Sequence, residues 1–451
     1  MLQALEWFIG LGSTVFLPVI IIVIGLIFGV KLSKAFMAGI TVGIGSIGLN
    51  LVIGLLTDGL GQAVQLMGER FGLALSIMDI GCGPGGPLAF STSLGLMCIL
   101  ISIGLNLVFV LFGFTRTFNI DIWNFWFPIF LGLVTQAVTN DFAISIAALI
   151  VALMLQWLLA DLFQERLSRF FNYPGIAITH LMALSGAVVA LPINWLFDRI
   201  PVLNKLDADA ETIQKKFGIF GDTVFIGFII GAAVGILAGL DFGAIATLGV
   251  QTAAVMKIMP KMISMFMEGL MPISEAARKF TNKHLSGRVV NIGMDAALTV
   301  GHPTVMATSL LIVPISLLLA VVLPGNKVLP FGDLALYVFA ICLMIPVFKG
   351  NLIRSILGCT LYMVAMLYLS TWLAPVVTDV FHIANFDVGS AGIISFVTSG
   401  LWPVALFVLV AEYVGMVGFV VLGICVLGGL IYKNKIHAVS QSAVGESEES
   451  L

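Results

Sequence analysis

The side chains best suited to chemistry in this sequence are a few ionisable groups inside long apolar stretches. Asp295 and His302 are seven positions apart, about two helical turns, so both could face one cavity if the segment is helical. A carboxylate can accept hydrogen bonds from two sugar hydroxyls, and a neutral imidazole can donate one and accept one. The two residues could instead form a structural pair that holds the segment closed.

Other polar and aromatic residues are candidates for the same substrate site. His180 follows Gly-Ile-Ala-Ile-Thr and could contact a ligand or lie at the membrane interface. Gln136 and Asn140 share one helix face, where buried amides need partners in a ligand or in a neighbouring helix. Trp126 could stack on the C–H surface of a sugar, or belong to an interfacial aromatic belt.

Glycine and proline interrupt two pairs of apolar segments at matching places in the two halves of the chain. The pairs are 79–93 with 291–304, and 173–180 with 388–400. Bare amides at such breaks can bind hydroxyls, and non-helical backbone is tolerated at membrane depth where protein or water satisfies it. We therefore expect Gly85, Gly86 and Pro87 to contribute to a substrate site, although close helix packing would also explain the glycines.

The sequence contains no recognisable catalytic or metal-binding motif. It lacks a Ser/His/Asp arrangement, an H-E-x-x-H sequence and a Walker loop, and its histidines are not spaced as metal ligands. We expect no catalytic residue, metal or cofactor in this chain. The five cysteines, which lack C-x-x-C spacing, are expected to be core residues. A redox or phosphoryl-carrying role for Cys82 is the less favoured alternative.

Composition identifies a polytopic helical membrane protein. Of 451 residues, 60% are hydrophobic and 10% are charged, and the mean hydropathy is +1.12. The apolar runs are of about 17–25 residues, the length that crosses a bilayer core. A net charge of −3 without a basic tract argues against nucleic-acid partners. The first residues lack the basic region and cleavage site of a secretory signal, so we expect the first span to be retained.

A repeated motif suggests that the chain consists of two related halves. Residues 12–21 return at 221–230 with six of ten positions identical. Apolar segments predict about eleven spans, with 181–197 and 390–411 as re-entrant segments and with loops at 57–92 and 257–303. The distribution of Lys and Arg predicts an outer N-terminus, a cytoplasmic C-terminus and a second half of opposite orientation.

These observations predict an all-α membrane fold with two inverted repeats and paired re-entrant hairpins. The predicted domains are a first repeat at 10–200, a cytoplasmic linker at 201–222, a second repeat with the last helix at 223–435, and a disordered cytoplasmic tail at 436–451.

Several segments resemble the galactitol-type IIC permease of the bacterial phosphoenolpyruvate-dependent phosphotransferase system. The resemblance covers about 10–435 and is carried by Gly12–Pro18, Asn119–Asn124, Gly175–Ile178, Lys215–Gly218, Thr252–Met256 and Leu323–Ala335. It implies a homodimer in the bacterial cytoplasmic membrane that binds a sugar alcohol outside. The permease would carry the sugar inward by an elevator-like movement to a separate IIB protein, itself supplied by IIA, whose phosphocysteine phosphorylates the sugar.

The resemblance also assigns site residues. Asp295 and His302 match a segment of the family that contains Asp and Gly-His, His180 matches its Gly-Ile-Ala-Ile-x-His motif, and 81–87 matches its hairpin. Thr179 replaces an expected proline and Gln136 an expected histidine, so the particular polyol stays open. The competing hypotheses are a secondary transporter coupled to protons or sodium, with Asp295 and His302 as the relay, and a channel or membrane scaffold.

Overall fold

Long apolar segments of this chain become helices, because backbone polar groups at membrane depth must be satisfied within their own segment. The computed structural model describes residues 13–70, 77–82, 85–119, 121–205, 223–284, 290–330, 333, 336–384 and 393–448. In these ranges four helical segments have the length and apolar composition to cross a membrane: Phe142–Phe171, Pro303–Val322, Leu352–Ile383 and Met416–Asn434. The chain is therefore a helical membrane protein. The total of eleven spans and the orientation of the halves stay predictions.

One group of helices consists of the first two helices of each half. They are α1 (Ser13–Ile27), α2 (Leu32–Arg70), α9 (Thr223–Ala238) and α10 (Phe242–His284), and they pack mainly against one another. Glycines permit the close contacts: a Cβ on Gly269 would lie 2.7 Å from the carbonyl oxygen of Ala38, and one on Gly231 would lie 2.6 Å from that of Leu248. Small residues at helix crossings are typical of membrane proteins. We refer to these helices as the four-helix group.

Two of these helices correct the predicted loops. Helix α2 continues to Arg70 and α10 continues to His284, so 57–70 and 257–284 are helical where the sequence suggested loops. The polar residues in these parts were attributed to loops, yet a helix can carry them on one face. Arg70 shows their use, since its guanidinium donates to the carbonyl oxygens of Ile236 and Leu237, at 3.0 and 3.1 Å, near the end of α9.

A second group comprises the remaining helices. They are α3 (Gly85–Ser91), α4 (Ser93–Phe112), α5 (Trp126–Thr139), α6 (Phe142–Phe171), α7 (Leu181–Phe197), α8 (Pro201–Lys205), α11 (Ala297–Val300), α12 (Pro303–Val322), α13 (Tyr337–Ile341), α14 (Met344–Val347), α15 (Leu352–Ile383), α16 (Trp402–Tyr413) and α17 (Met416–Glu448). Aromatic rings fill the space between them; for example, the fully buried Trp157 meets Phe109 edge to face at 5.5 Å.

Within the described ranges, five short strands lie between these helices: β1 (Met78–Asp79), β2 (Thr117–Asn119), β3 (Ile176–Ile178), β4 (Asn291–Met294) and β5 (Ile394–Ser395). They form two parallel sheets, one in the order β2-β4-β3 and the other pairing β1 with β5. A parallel bridge from Ile77 to Val328 extends the second sheet. In each sheet the central strand comes from one half of the chain and its neighbours come from the other half.

Two further expectations differ from the structure. Cys82, Cys98, Cys342 and Cys359 are buried as expected, but Cys425 is exposed, because it lies on α17, which is little covered by the other helices. Residues 436–448 continue α17 as a helix instead of forming the predicted disordered tail. No proline interrupts this stretch. Of the predicted linker 201–222, the structure describes only 201–205, and these residues form α8.

Candidate functional site

Ionisable residues that follow the three strands of the first sheet lie together at one edge of it. Asn119 pairs with Gly293, and Gly293 also pairs with Ala177 on the other side. Because the strands are parallel, their carboxyl ends share one edge, where Asp121, His180 and Asp295 follow β2, β3 and β4. Gly293 is required at this spot, since a Cβ there would lie 2.8 Å from the Cα of Asn119 and from Cγ2 of Thr179.

His180 and Asp295 form the central pair of this site. His180 Nδ1 lies 2.7 Å from Asp295 Oδ2, while Ala297 N donates to Asp295 Oδ1 at 2.7 Å. The imidazole is buried and stacks on Phe339 at 5.8 Å between ring centroids. Its Nε2 is buried and has no hydrogen-bond partner among the described residues. If Nδ1–H donates to the carboxylate, neutral His180 presents Nε2 as an acceptor for a ligand hydroxyl.

Asp121 adds a second carboxylate that the sequence reasoning missed. It is 3% exposed, caps the 3₁₀ helix Ile122–Phe125 by accepting from Trp123 N at 3.0 Å, and accepts from the backbone N–H of Asp295. It therefore lies beside both members of the His180–Asp295 pair. The segment around Asp121 was interpreted from its tryptophans as an aromatic belt. An acidic residue at the start of an apolar span was the signal that could have identified it.

Thr179 lies at the centre of a buried polar network that holds the strand ends together. Its hydroxyl donates to Asn119 Oδ1 at 3.0 Å and accepts from Asn124 Nδ2 at 2.8 Å, and its backbone N–H donates to the Met294 carbonyl at 2.9 Å. The Gln156 side chain donates to the carbonyl oxygens of Asn124 and Thr179. The residue that departs from the expected proline thus has a structural role in this network.

A second network fixes the other end of β2. Asp161, buried on α6, accepts hydrogen bonds from the hydroxyls of Thr115 and Thr117 at 2.8 and 2.7 Å, and from Arg116 N at 3.1 Å. Asn106 on α4 donates to the Thr117 carbonyl at 3.0 Å and accepts from Asn119 N at 2.9 Å. Side chains of two helices therefore hold this short strand in place, and with it the position of Asp121.

His302 occupies a different place from the one its spacing suggested. It caps α12 by accepting from Thr304 N at 3.3 Å, and its ring packs on Phe170 and Phe171 with centroids 4.6 and 5.7 Å away. The partner of Asp295 is His180, not His302. The spacing argument assumed one continuous helix from Asp295, whereas the short α11 ends at Val300 and α12 begins only at Pro303.

The glycine and proline segments around the site make close packing contacts. A Cβ on Gly85 would lie 3.2 Å from the Trp126 ring, and one on Gly86 would lie 2.6 Å from the Trp123 ring. Trp126 is itself buried, and Pro87 lies within α3. These glycines let the two indoles approach the backbone of α3.

Tyr173 joins the two broken segments that flank the site. Its hydroxyl donates to the Leu298 carbonyl on α11 at 2.7 Å. Burial raises the pKa of Tyr173 to about 12, so the hydroxyl remains a donor at neutral pH. The segments 173–180 and 291–304, predicted from their glycine and proline breaks, are therefore in direct contact.

Gln136 and Asn140 lie at the far end of α5 from Trp126. Gln136 lines a cavity of about 460 Å³ that also involves α4, α6 and α15. Asn140 is the exposed C-cap of α5, with a φ of 53°. The structure thus does not bring these two amides to the His180–Asp295 pair.

A related arrangement surrounds Asp333 at the second sheet. This fully buried carboxylate accepts from Cys82 N at 2.6 Å, from Thr398 N at 2.7 Å and from the Thr398 hydroxyl at 3.0 Å. Asp121 follows the flanking strand β2 and accepts from the backbone N–H of Asp295, just after the central strand β4. In the same way, Asp333 follows the segment that pairs at Val328 and accepts from the backbone N–H of Cys82, just after the central strand β1. Asp333 therefore joins the segments after β1 and β5, as Asp121 joins those after β2 and β4.

Comparisons with known proteins identify the family. Residues 7–392 match the family model described as the sugar-specific permease component of the PTS system. A galactitol-specific EIIC component of the PTS system from Escherichia coli K12 is 35% identical over 429 residues, covering 95% of each chain. A putative permease IIC component from the same organism is 39% identical over 374 residues, 83% of this chain and 86% of its own.

Proposed function

Because this chain belongs to the sugar-specific permease family of the PTS system, we propose that it binds a sugar alcohol and carries it across the bacterial cytoplasmic membrane. The buried His180–Asp295 pair carries this proposal, since it has an unpartnered Nε2 beside two carboxylates. Uncharged polyols are bound through hydroxyls, which can donate to carboxylates and to an imidazole nitrogen. Galactitol is the first candidate, since the name of a relative covering 95% of the chain specifies it.

The two carboxylates have separate tasks in this proposal. Asp295 offers its oxygens to sugar hydroxyls while His180 orients it. Asp121 accepts a hydrogen bond from the backbone N–H of Asp295 and thereby fixes the position of the segment that contains Asp295. Each hydrogen bond to the sugar would be stronger than in water, because the site is buried and water is excluded from the site.

Transport is proposed to follow an elevator-like movement. The four-helix group would stay fixed in the membrane and supply the contacts of a homodimer. The second group, which contains His180 and Asp295, would move against it. Support comes from the packing of the four-helix group mainly on itself. Its outward face also carries exposed apolar side chains such as Phe36 and Met37, which are suited to lipid or to a second copy.

Phosphorylation of the sugar is assigned to a separate IIB protein, which is itself phosphorylated by IIA. The sugar hydroxyl attacks phosphorus on the phosphocysteine of IIB, the P–S bond breaks, a P–O bond forms, and the cysteine leaves as a thiolate while the hydroxyl proton is released. No residue of this chain is assigned to that chemistry. The proposed role of this chain is to hold and deliver the sugar.

Reconstituted vesicles test the proposal. With IIB and IIA present and a phosphoryl donor inside, the chain should accumulate galactitol phosphate, and Asp295→Asn should abolish accumulation. Galactitol should also raise the melting temperature of the purified protein, because a ligand at 100 times its Kd stabilises the folded state by about 2.7 kcal/mol. Concentrative uptake of unmodified sugar, driven by a proton or sodium gradient without IIB, would instead support the secondary-transporter hypothesis.

A further inference from the structure

The cavity beside Gln136 is separate from the His180–Asp295 pair. Its volume is about 460 Å³, and its lining comes from four helices: Thr92, Ser93 and Leu94 near the start of α4, Gln136 on α5, Phe142 at the start of α6, and Ile383 and Ala384 at the end of α15. Gln136 lies ten residues beyond Trp126 along α5, a rise of about 15 Å. The cavity and the strand-end site therefore lie at opposite ends of this helix.

Two polar side chains face this cavity without partners. The Gln136 amide and the Ser93 hydroxyl line it, and neither makes a hydrogen bond within the described residues. Thr92, by contrast, is satisfied, donating to Ala89 O at 2.8 Å and accepting from Gly95 N at 3.1 Å. The amide can donate and accept, and so can the hydroxyl. Phe142, 39% exposed, adds an apolar face.

Charge places this cavity at the outer side of the membrane. The cavity lies at the starts of α4 and α6 and at the end of α15. Basic residues lie in or next to the opposite ends of the same helices. They are Arg116 after α4, Arg166 and Arg169 in the last turns of α6, Lys349 just before α15, and Arg354 in the first turn of α15. Basic ends face the cytoplasm in membrane proteins, so the end with the cavity faces outward.

We propose that this cavity is an outer subsite for a sugar alcohol, in which Gln136 and Ser93 bind hydroxyls and Phe142 packs against the C–H surface. The proposal rests on the proposed function, since it names a second place for the same class of substrate. A volume of about 460 Å³ falls within the usual range for small-molecule pockets, roughly 300–1,000 Å³. The subsite would capture sugar from outside before it reaches His180 and Asp295.

Thiol protection tests the subsite directly. Cys425 is the exposed one of the five cysteines, so Cys425→Ser provides a background for Ser93→Cys. A membrane-impermeant maleimide should label this variant from outside. Galactitol at ten times the Kd of the subsite should slow labelling about tenfold, since about one site in eleven stays free. The protection should persist when Asp295→Asn removes binding at the inner pair, and Gln136→Leu should abolish it.

The control is Ala143→Cys in the same background, because Ala143 is exposed at the start of α6 but does not line the cavity. Its labelling should not respond to galactitol. The subsite is refuted if Asp295→Asn removes the protection of Ser93→Cys, if Gln136→Leu leaves it intact, or if Ala143→Cys is protected equally. Failure of the proposed function is recognised separately: galactitol would then neither raise the melting temperature of the wild-type protein nor be phosphorylated in vesicles.

Discussion

Asp295 is held in one orientation by contacts with three other residues. One of its oxygens is occupied by His180 and the other by Ala297 N, and its own backbone N–H is held by Asp121. Each oxygen has a second lone pair for a hydroxyl. Under the proposed function, a site fixed in this way would lose little conformational freedom on binding sugar, which would favour affinity.

Asp295→Asn and His180→Ala should each weaken galactitol binding about 10- to 100-fold, because a hydrogen bond to a charged group contributes about 1.5–3 kcal/mol. Titration calorimetry measures the effect on purified protein in a Gln136→Leu background, which removes binding at the proposed outer subsite. The matched control is Asp141→Asn, an exposed N-cap of α6 whose side chain accepts from Ala143 N, for which binding should be unchanged. Equal affinity in Asp295→Asn and wild type would remove Asp295 from the site.

Thr179 provides a prediction about stability at the same scale. Thr179→Val would remove the hydroxyl that Asn119 Oδ1 and Asn124 Nδ2 share. Asn119 Oδ1 would keep the hydrogen bond from Asp121 N at 3.3 Å, but the buried Asn124 Nδ2 would lose its partner, and an unpaired buried group costs about 1–3 kcal/mol. The free energy of unfolding should fall by about this amount, as read from thermal unfolding in detergent. Thr179→Ser keeps the hydroxyl and should retain most of the stability. A Thr179→Val protein as stable as Thr179→Ser would show that the network contributes little.

At the scale of elements, the short strands determine where Asp121, His180 and Asp295 meet. Each sheet has a central strand from one half of the chain between segments of the other half, and a buried carboxylate follows one flanking segment of each. Two related halves that exchange strands would produce this arrangement, and the repeat stays a prediction. Neither sheet can form from one half alone, so assembly of the site requires both halves of the chain.

Gly293→Ala tests whether the candidate site depends on the close approach of β4 to the strands on either side of it. The added methyl would lie 2.8 Å from the Cα of Asn119 and from Cγ2 of Thr179, so the strands must separate, at a cost of about 1–3 kcal/mol. Both the melting temperature and galactitol affinity should fall. Gly104→Ala is the control, since its Cβ meets nothing within 4 Å on α4. It should leave galactitol affinity unchanged and should not lower the melting temperature, because alanine is favoured over glycine inside a helix. Unchanged galactitol affinity in Gly293→Ala would show that binding does not depend on the close packing of the first sheet.

For the whole molecule, sequence patterns predicted the class of fold and several of the residues, but not their pairing. Apolar length predicted membrane helices, and glycine and proline breaks located segments that contain or adjoin four of the five strands. Sequence distance could not show that Asp295 meets His180, 115 positions away, instead of His302 nearby. Hydropathy also misassigned 57–70 and 257–284, because a polar stretch can be a loop or a helix that is polar on one face.

The opposite orientation of the two halves is the property of the whole molecule that remains to be measured. Leu32 and Phe242 occupy equivalent places, as the first residues of α2 and α10, and both are strongly exposed, at 64% and 85%. Lys31 and Lys34 flank the first position, whereas the connection before Phe242 contains no basic residue. The positive-inside rule therefore places Leu32 in the cytoplasm and Phe242 outside.

In a Cys425→Ser background, an impermeant maleimide should label Phe242→Cys in intact cells, and Leu32→Cys only after the membrane is permeabilised. Both variants replace a lipid- or solvent-facing apolar side chain, so neither should disturb packing. Labelling of both positions from the same side would show parallel halves. Alternating access to a shared site would then have to rest on parallel repeats related by an axis along the membrane normal, an arrangement that other transporters use, and the inverted-repeat prediction would be wrong.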